Sequence, residues 1–272
     1  MPVPNLQNPY GLPDNTVELV RQLPPLIEPK QDYPPDEPVH AIPRHNALPP
    51  SFSLAGYAHP ILQQYVGACA PYSVVQMIHI HMQRLLGTQG KPILLSPLDL
   101  YFHTRAREGN LGRDSGTTLP GVLATLRDQG GIPFNLFPEE RLHKKRPPEV
   151  AVRMRIRDFE RIDRDADAPD NIKKILFYEK LPVLVGFRIP REQVDNRFIL
   201  GSGDFEPVSN PDMNNYYAHA MVIVGWRSDQ RFILLNSWGA QVGAGGYFTC
   251  PIDWVRTPWL SLGNHTFSVD LF

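Results

Sequence analysis

Residues 63–83, "QQYVGACAPYSVVQMIHIHMQ", place one of the two cysteines of the chain where a turn passes into a helix. The small residues Gly67 and Ala68 come directly before Cys69, and apolar residues follow it at spacings of three and four. This periodicity predicts a helix from Cys69 to about Leu86 with one buried face. The apolar residues of that face are Val74, Val75, Ile78, Met82, Leu85 and Leu86.

The start of a helix is a favourable place for a reactive thiol, because its unpaired N–H groups and its dipole stabilise the thiolate. A free cysteine in this position is nevertheless more often a packing residue. Catalysis by Cys69 would also need an imidazole that accepts the proton and a third group that orients the ring. Among the nine histidines, His219 opens the predicted strand "HAMVIVGW", and Asn236 ends a second predicted strand in "LLNSWG".

Length and charge limit the classes of function. A chain of 272 residues forms one large domain or two modest lobes, and a net charge of -1 argues against a nucleic-acid binder. No apolar run approaches the roughly 20 residues that span a membrane. Two cysteines, Cys69 and Cys250, are too few for a disulfide framework and lack metal-ligand spacing, so we expect neither a metal nor another cofactor.

The N-terminal region is rich in proline, with 13 of the 29 prolines in residues 1–50. We therefore expect residues 1–47 to form an extension with one short helix in "DNTVELVRQL" (14–23). It is either a disordered leader or an arm that packs on the rest of the chain, across its active cleft. The first residues lack the pattern of a cleavable signal peptide, which predicts a cytoplasmic protein or one exported without such a signal.

The remaining residues, 48–272, change in character along the chain. Two further helices are predicted in "LSPLDLYFHTRARE" (95–108), capped by Ser96, and in "TLPGVLATLRDQG" (118–130). Charges of both signs in residues 141–170 indicate a solvated surface. The later runs predict strands: "LPVLVGFRIP", "HAMVIVGWR", "RFILLNSW" and "GGYFTCPI". Helices first and strands second indicate an α+β fold with two lobes.

Three motifs in this order, "GACAPYS", "HAMVIVGW" and "LLNSWGAQVGAGGYF", resemble the papain-like cysteine peptidases, and the stretches between them are similar to the bacterial branch of that family. In the family, histidine and asparagine follow the cysteine by roughly 130–150 residues. The separations here are 150 and 167 residues, slightly longer. The resemblance covers about residues 48–272. It implies a helical N-terminal lobe, an antiparallel sheet or barrel-like C-terminal lobe, and an active cleft between them.

The resemblance also implies a role for each catalytic residue. Cys69 would be the nucleophile, His219 the general base and later the acid, and Asn236 the group that orients the imidazole. Trp238 would shield that contact from water. Gln63 and the N–H of Cys69 would donate to the developing oxyanion. In this family the cysteine and histidine form an ion pair, in which the cysteine has a pKa of about 3–4.

Substrate contacts follow from the same resemblance. Gly67 would let a substrate backbone approach closely, and Gly116 would pair with an extended substrate. Thr118, Gly186 and Tyr217 would line the pocket for the second residue before the scissile bond. Ordinary loop and strand packing is the alternative explanation for these three residues.

The chain also departs from the family pattern. Val66 stands where many members have a disulfide-bonded cysteine, which agrees with a reduced setting. Ala70 replaces an aromatic residue, and the usual long helical pro-region is missing. An inhibitory role for residues 1–47 is therefore a hypothesis. Cys250 is expected to be a buried strand residue.

Three functions are compatible with these motifs. The first is a peptidase that acts on peptide or protein substrates through a thioester on Cys69. The second is an amide hydrolase or acyl transferase with a non-protein substrate, since any nucleophile can resolve a thioester. The third is a binding protein that keeps the fold without turnover, which the complete set of Gln63, Cys69, His219 and Asn236 disfavours.

Overall fold

The computed structural model describes most of the chain from residue 38 onward. The described residues are 38–44, 47–87, 90–111, 114–138, 145–151, 153–163, 165–193, 203–206, 215–257 and 260–271. The short helix expected at 14–23 lies outside them. Within these ranges, no helix has the length and apolar character needed to cross a membrane.

Three helices follow the predicted bounds closely: α1 (Cys69–Leu86), α2 (Pro97–Arg107) and α3 (Leu119–Asp128). The predicted cap of α2 is confirmed, because Ser96 Oγ accepts a hydrogen bond from the N–H of Asp99 at 3.2 Å. Each of α2 and α3 has a proline in its first turn, where a missing N–H costs no helical hydrogen bond.

The strands pair mainly in one antiparallel sheet. Among the described residues there are seven: β1 (Phe52–Ser53), β2 (Asp158–Arg161), β3 (Val183–Pro190), β4 (Tyr216–Arg227), β5 (Arg231–Leu235), β6 (Tyr247–Pro251) and β7 (Ser261–Asp270). Their order is β2-β7-β3-β4-β5-β6, and β1 pairs with β4. The four predicted runs are confirmed as β3 to β6. A short helix, α4 (Ala168–Lys174), continues into a π-helical turn at Ile175–Glu179.

The predicted single buried face of α1 is wrong. Every residue from Ala70 to Ile80 is buried, whereas Leu85 and Leu86 are 47% and 50% exposed. The reason is tertiary: α1 packs against α2 and α3 and also against β4. Its first three turns are therefore surrounded, and its last turn extends past the neighbouring elements.

The charged stretch 141–170 is not only a solvated surface, and that prediction is wrong for β2. Phe159 at 4% exposure and Ile162 at 1% point into the core, while their charged neighbours remain more exposed. β2 pairs with β7, which places it at the end of the strand order. A strand at a sheet edge can carry charges on one face and apolar residues on the other.

The described end of the proline-rich extension packs on the body of the protein. Val39 forms a parallel bridge with Arg161 of β2. The N–H of His40 donates to the carbonyl of Arg161, and the N–H of Arg161 donates to that of Pro38, each at 2.9 Å. This contact lies at β2, three strands away from β4 in the order of the sheet.

Both cysteines are free thiols. Cys250 lies in β6 opposite Phe232 and is fully buried, as the sequence predicted. Burial raises the pKa of its thiol, so Cys250 acts as a packing residue rather than a reactive group.

Candidate active site

Cys69 is the first residue of α1, and it is partly exposed although almost everything around it is buried. The residue before it, Ala68, offers no side-chain cap. The N–H groups of the first turn are therefore not used by a capping side chain. Backbone hydrogen bonds from Ala220, Ala70 and Cys69 itself favour the thiolate form of the sulfur.

His219 lies in β4 and Asn236 directly follows β5. The antiparallel pairing of these strands, with Val222 opposite Leu235, brings the two residues together. Nε2 of His219 is 2.6 Å from Oδ1 of Asn236, and both residues are buried. The same oxygen accepts the N–H of Ser237 at 2.8 Å. Because Oδ1 is an acceptor, Nε2 carries a proton, and in the neutral ring Nδ1 can then accept one.

Trp238 covers this pair. Its ring stacks on the imidazole of His219 with centroids 4.6 Å apart and an angle of 29° between the planes. Trp238 is only 3% exposed, so the indole also excludes water from the imidazole. A short hydrogen bond in such dry surroundings holds the ring more firmly than it would in water.

The Cys69 thiol and the His219 imidazole come from different lobes, which meet where α1 packs on β4. Ser73, one turn after Cys69, donates its hydroxyl to the carbonyl of Ala220 at 2.9 Å. The Ala220 backbone also lowers the pKa of the Cys69 thiol by hydrogen bonding. Ala220, the residue after His219, is thus linked to the first turns of α1.

The surroundings of Cys69 and His219 shift the pKa of each group so that its neutral form is favoured. Burial raises the pKa of the Cys69 thiol, and the nearby Asp114 carboxylate raises it further. Burial lowers the pKa of His219 to about 4, although its hydrogen bond to Asn236 acts in the opposite direction. The ion pair expected from the resemblance therefore depends on attraction between the two charges and on the backbone N–H groups around the sulfur.

Gln63 lies beside the Asn236–Gly239 turn. Its backbone forms an antiparallel bridge with Trp238, and the N–H of Gly239 donates to the carbonyl of Leu62 at 3.1 Å. Gly239 has φ +87°, and a Cβ there would be 3.2 Å from Oε1 of Gln63. The absence of a side chain at Gly239 thus leaves room for the Gln63 amide.

Gly67 and Gly116 face each other near Cys69. A Cβ added to Gly67 would be 3.3 Å from the nitrogen of Gly116, and one added to Gly116 would be 3.5 Å from the oxygen of Gly67. Asp114 joins the two loops, since its Oδ1 accepts the N–H of Gly67 at 3.1 Å and the hydroxyl of Tyr101. The structure thus brings Gly67 and Gly116 together.

The other predicted substrate-binding residues have structural contacts. Thr118 caps α3: its hydroxyl donates to Glu108 at 2.9 Å and accepts the N–H of Gly121 at 3.1 Å. Gly186 of β3 pairs with Ala220. The Tyr217 hydroxyl accepts a hydrogen bond from Arg191, whose guanidinium lies 4.2 Å from the centre of the ring. These contacts account for the three residues as packing and capping groups, and a role in a substrate pocket stays a prediction.

Sequence reasoning missed several residues around the site. They are Gln64, Ser73, Gln76, Asp114 and Ser237, all of which form hydrogen bonds to segments that carry catalytic candidates. Ser73 and Gln76 had a detectable signal, because they are polar residues four and seven positions after Cys69 in an apolar helix. Asp114 had none. Over the part of the chain that the structure describes, no three His, Cys, Asp or Glu side chains could hold a metal ion together.

Comparison with known proteins agrees with this arrangement. Residues 122–254 match the model of the papain family of cysteine proteases, a range that includes His219 and Asn236. A peptidase C1-like protein of Acanthamoeba polyphaga mimivirus is 26% identical over 176 residues, which are 59% of this chain and 54% of that protein. The chain thus matches about half the length of this relative.

Solved structures share the fold over most of the chain. Xylellain, a cysteine protease from Xylella fastidiosa, has a TM-score of 0.74 and 22% identity, covering 89% of this chain and 94% of its own. Procathepsin B from Trypanosoma congolense has a TM-score of 0.64 and 14% identity, covering 86% and 82%. With its helical lobe and antiparallel sheet the chain has a papain-like fold, and its residues 122–254 match the papain family of cysteine proteases.

Proposed function

We propose that the protein is a cysteine peptidase that hydrolyses peptide bonds through a thioester on Cys69. One observation carries the proposal. The imidazole of His219 forms a hydrogen bond of 2.6 Å to Asn236 and is covered by Trp238, and it lies in β4, the strand against which the Cys69 helix packs. An oriented, buried imidazole in a strand that packs on a helix with a thiol at its N-terminus supports thiol acyl transfer.

In the acylation step, Nδ1 of His219 accepts the Cys69 proton and the sulfur attacks the carbonyl carbon of the peptide. The carbonyl oxygen becomes negatively charged, and the Gln63 amide and the N–H of Cys69 donate hydrogen bonds to it. The tetrahedral intermediate collapses when His219 protonates the leaving amine. The C–N bond breaks, and the acyl group remains on sulfur as a thioester.

In the deacylation step, His219 removes a proton from water, and the hydroxide attacks the thioester carbonyl. The same two donors stabilise the second oxyanion. The C–S bond then breaks, and the proton on His219 returns to the thiolate. Asn236 keeps the ring in one orientation through both proton transfers.

The proposed substrate is an extended peptide or protein segment. It would bind along the backbones of Gly67 and Gly116, in two loops near Cys69 that approach each other closely because neither residue has a side chain. A segment held in this way would present a carbonyl to the sulfur.

A covalent probe tests this function. The full chain is treated with a peptide carrying an epoxide, and then with a panel of fluorogenic dipeptides. We expect Cys69-dependent labelling and turnover, both abolished by Cys69→Ala and both retained by Cys250→Ala, which removes the buried thiol. Labelling without turnover of any peptide would favour an amide hydrolase or acyl transferase. No labelling, with or without residues 1–47, would favour a binding protein and contradict the proposal.

We propose further that residues 48–272 form the catalytic domain and that residues 1–47 restrict access to it. One fact supports contact between the two parts: the extension is attached to β2 through Pro38, Val39 and His40. Deletion of residues 1–47 should raise kcat/KM on dipeptide substrates. Unchanged kcat/KM in the deleted protein would contradict an inhibitory role.

A further inference from the structure

The face of α1 that begins with Cys69 continues with two polar residues. Ser73 and Gln76 follow the cysteine by four and seven positions, so all three side chains lie along one stripe of the helix. Ser73 is 0% exposed and Gln76 is 3% exposed. A buried amide costs free energy unless its polar atoms find hydrogen-bond partners, so the contacts of Gln76 need an explanation.

Gln76 uses both ends of its amide on main-chain groups from two other segments. Its Nε2 donates to the carbonyl of Asn236 at 3.2 Å. Its Oε1 accepts the N–H of Leu62 at 3.0 Å. Both hydrogen bonds are buried. One side chain of the nucleophile helix is therefore bonded to Asn236 itself and to the residue that precedes Gln63.

These two contacts control separate parts of the site. Asn236 sets the orientation of the His219 ring through a bond of 2.6 Å. Leu62 and Gln63 run beside Trp238 and Gly239, where the Gln63 amide lies. Errors of about 1 Å in such positions are costly, because proton transfer and oxyanion stabilisation both depend on hydrogen-bond geometry.

We infer that Gln76 is a positioning residue that holds the orienting asparagine and the oxyanion donor in register with Cys69. This inference rests on the proposed function and extends it, since Gln76 touches neither substrate nor the reacting atoms. Ser73 acts in parallel on β4 through the carbonyl of Ala220. The stripe thus joins the nucleophile helix to each of the other catalytic segments.

Three variants test the inference. Gln76→Leu removes both hydrogen bonds at similar volume. Gln76→Glu keeps an acceptor for Leu62, but once ionised it has no donor for the Asn236 carbonyl. Thr125→Val is the matched control, because it removes a buried hydroxyl that accepts a hydrogen bond from Thr104 at 3.2 Å between α2 and α3, away from the site.

For Gln76→Leu we expect kcat to fall about tenfold while KM changes less than about twofold, as when an interaction needed only in the transition state is lost. Thr125→Val should keep the kcat of the unmodified chain, even if its thermal midpoint falls as much as that of Gln76→Leu. The activity of Gln76→Glu, relative to the unmodified chain, should decrease as pH rises, because the introduced carboxyl loses its O–H donor on ionisation.

Unchanged kcat in Gln76→Leu, an effect confined to KM, or an equal loss of kcat in Thr125→Val would overturn the inference. If Gln76→Leu does not fold, the pH dependence of Gln76→Glu decides, and a profile parallel to that of the unmodified chain would be the contrary result. Absence of peptide turnover in the unmodified chain would contradict the proposed function instead. The rate of Cys69 alkylation by iodoacetamide would then be measured against pH in Gln76→Leu and in the unmodified chain. Identical profiles in the two proteins would overturn the positioning role of Gln76.

Discussion

Nε2 of His219 lies 2.6 Å from Oδ1 of Asn236, so that a hydrogen bond between residues 17 positions apart links β4 to the turn after β5. The bond selects the tautomer of the ring in which Nδ1 can accept a proton. Its strength depends on the burial that Trp238 provides.

Asn236→Ala should lower kcat/KM by about 10- to 100-fold, because the imidazole loses the acceptor that orients it. This loss is a part of the rate enhancement that general acid–base catalysis usually supplies. Asn236→Asp is the control that keeps the acceptor. Nδ2 of Asn236 makes no hydrogen bond among the described residues, so this exchange removes no donor contact. The negative charge should raise the pKa of His219 and move the alkaline limb of the rate profile to higher pH. Equal activity losses in both variants would contradict the orienting role.

Trp238→Ala should raise the pKa of His219 from about 4 toward the ordinary 6.5, since burial is what lowers it. Titration of the imidazole by NMR measures the change directly. Trp238→Phe keeps a ring over the imidazole and should shift the pKa less. A pKa that stays at its original value in the alanine variant would show that Trp238 does not shield the ring.

Gln63→Ala should lower kcat on peptide substrates by roughly 100- to 1000-fold, the usual effect of removing one oxyanion donor. Alkylation of Cys69 by iodoacetamide forms no oxyanion, so its rate should change little. The two rates, measured on the same preparations, separate a lost donor from a damaged thiol. A parallel fall in both would mean that Gln63 acts on Cys69 rather than on the substrate oxygen.

Asp114→Asn should lower the pKa of Cys69. The carboxylate is one cause of the raised pKa of the thiol, after burial, and asparagine can still accept hydrogen bonds from Gly67 and Tyr101. The acid limb of iodoacetamide alkylation should therefore move to lower pH. Tyr101→Phe removes one donor to Asp114 but keeps the charge, so its acid limb should stay closer to that of the unmodified chain. An unshifted limb in Asp114→Asn would refute the electrostatic coupling.

The His40 contact should make stability depend on pH. The ring lies between Glu160, 2.6 Å from Nδ1, and Glu179, 2.9 Å from Nε2, and Nδ1 is also 2.8 Å from the Ser268 hydroxyl. Burial lowers the pKa of His40, but the two carboxylates outweigh it and raise the pKa above 6.5. Because the folded pKa is the higher one, the stabilisation is full below pH 6.5 and is lost as pH rises through the folded pKa.

Thermal midpoints of the unmodified chain and of His40→Asn test this sign. The difference between the two midpoints should be largest at acid pH and shrink toward pH 9. Each kcal/mol of unfolding free energy lost corresponds to about 2–4 °C. The double variant Glu160→Gln, Glu179→Gln should remove the pH dependence as well. A difference that grew with pH would show that His40 is held in its neutral form.

The helices were predictable because their signals are local. Ser96 with Pro97, and the apolar spacing after Cys69, set the starts of α2 and α1 through hydrogen bonds and contacts within a few residues. The strands β3 to β6 were found for the same reason. β2 and β7 were missed, because β2 lies in a charged stretch and β7 reads "SLGNHTFSVD", with several polar residues. Their strand conformation depends on pairing, of β2 with β7 and of β7 with both β2 and β3.

The sequence by itself determined the members of the candidate site. Cys69 at a helix start, His219 in a strand and Asn236 after the next strand are visible in their local patterns and in their order along the chain. Only the tertiary structure decided how they are held: the stacking of Trp238, the contact of Ala220 with the thiol, and the two bonds of Gln76. Most of these contacts join residues far apart in sequence, and burial and hydrogen-bond distance exist only once the lobes have packed together.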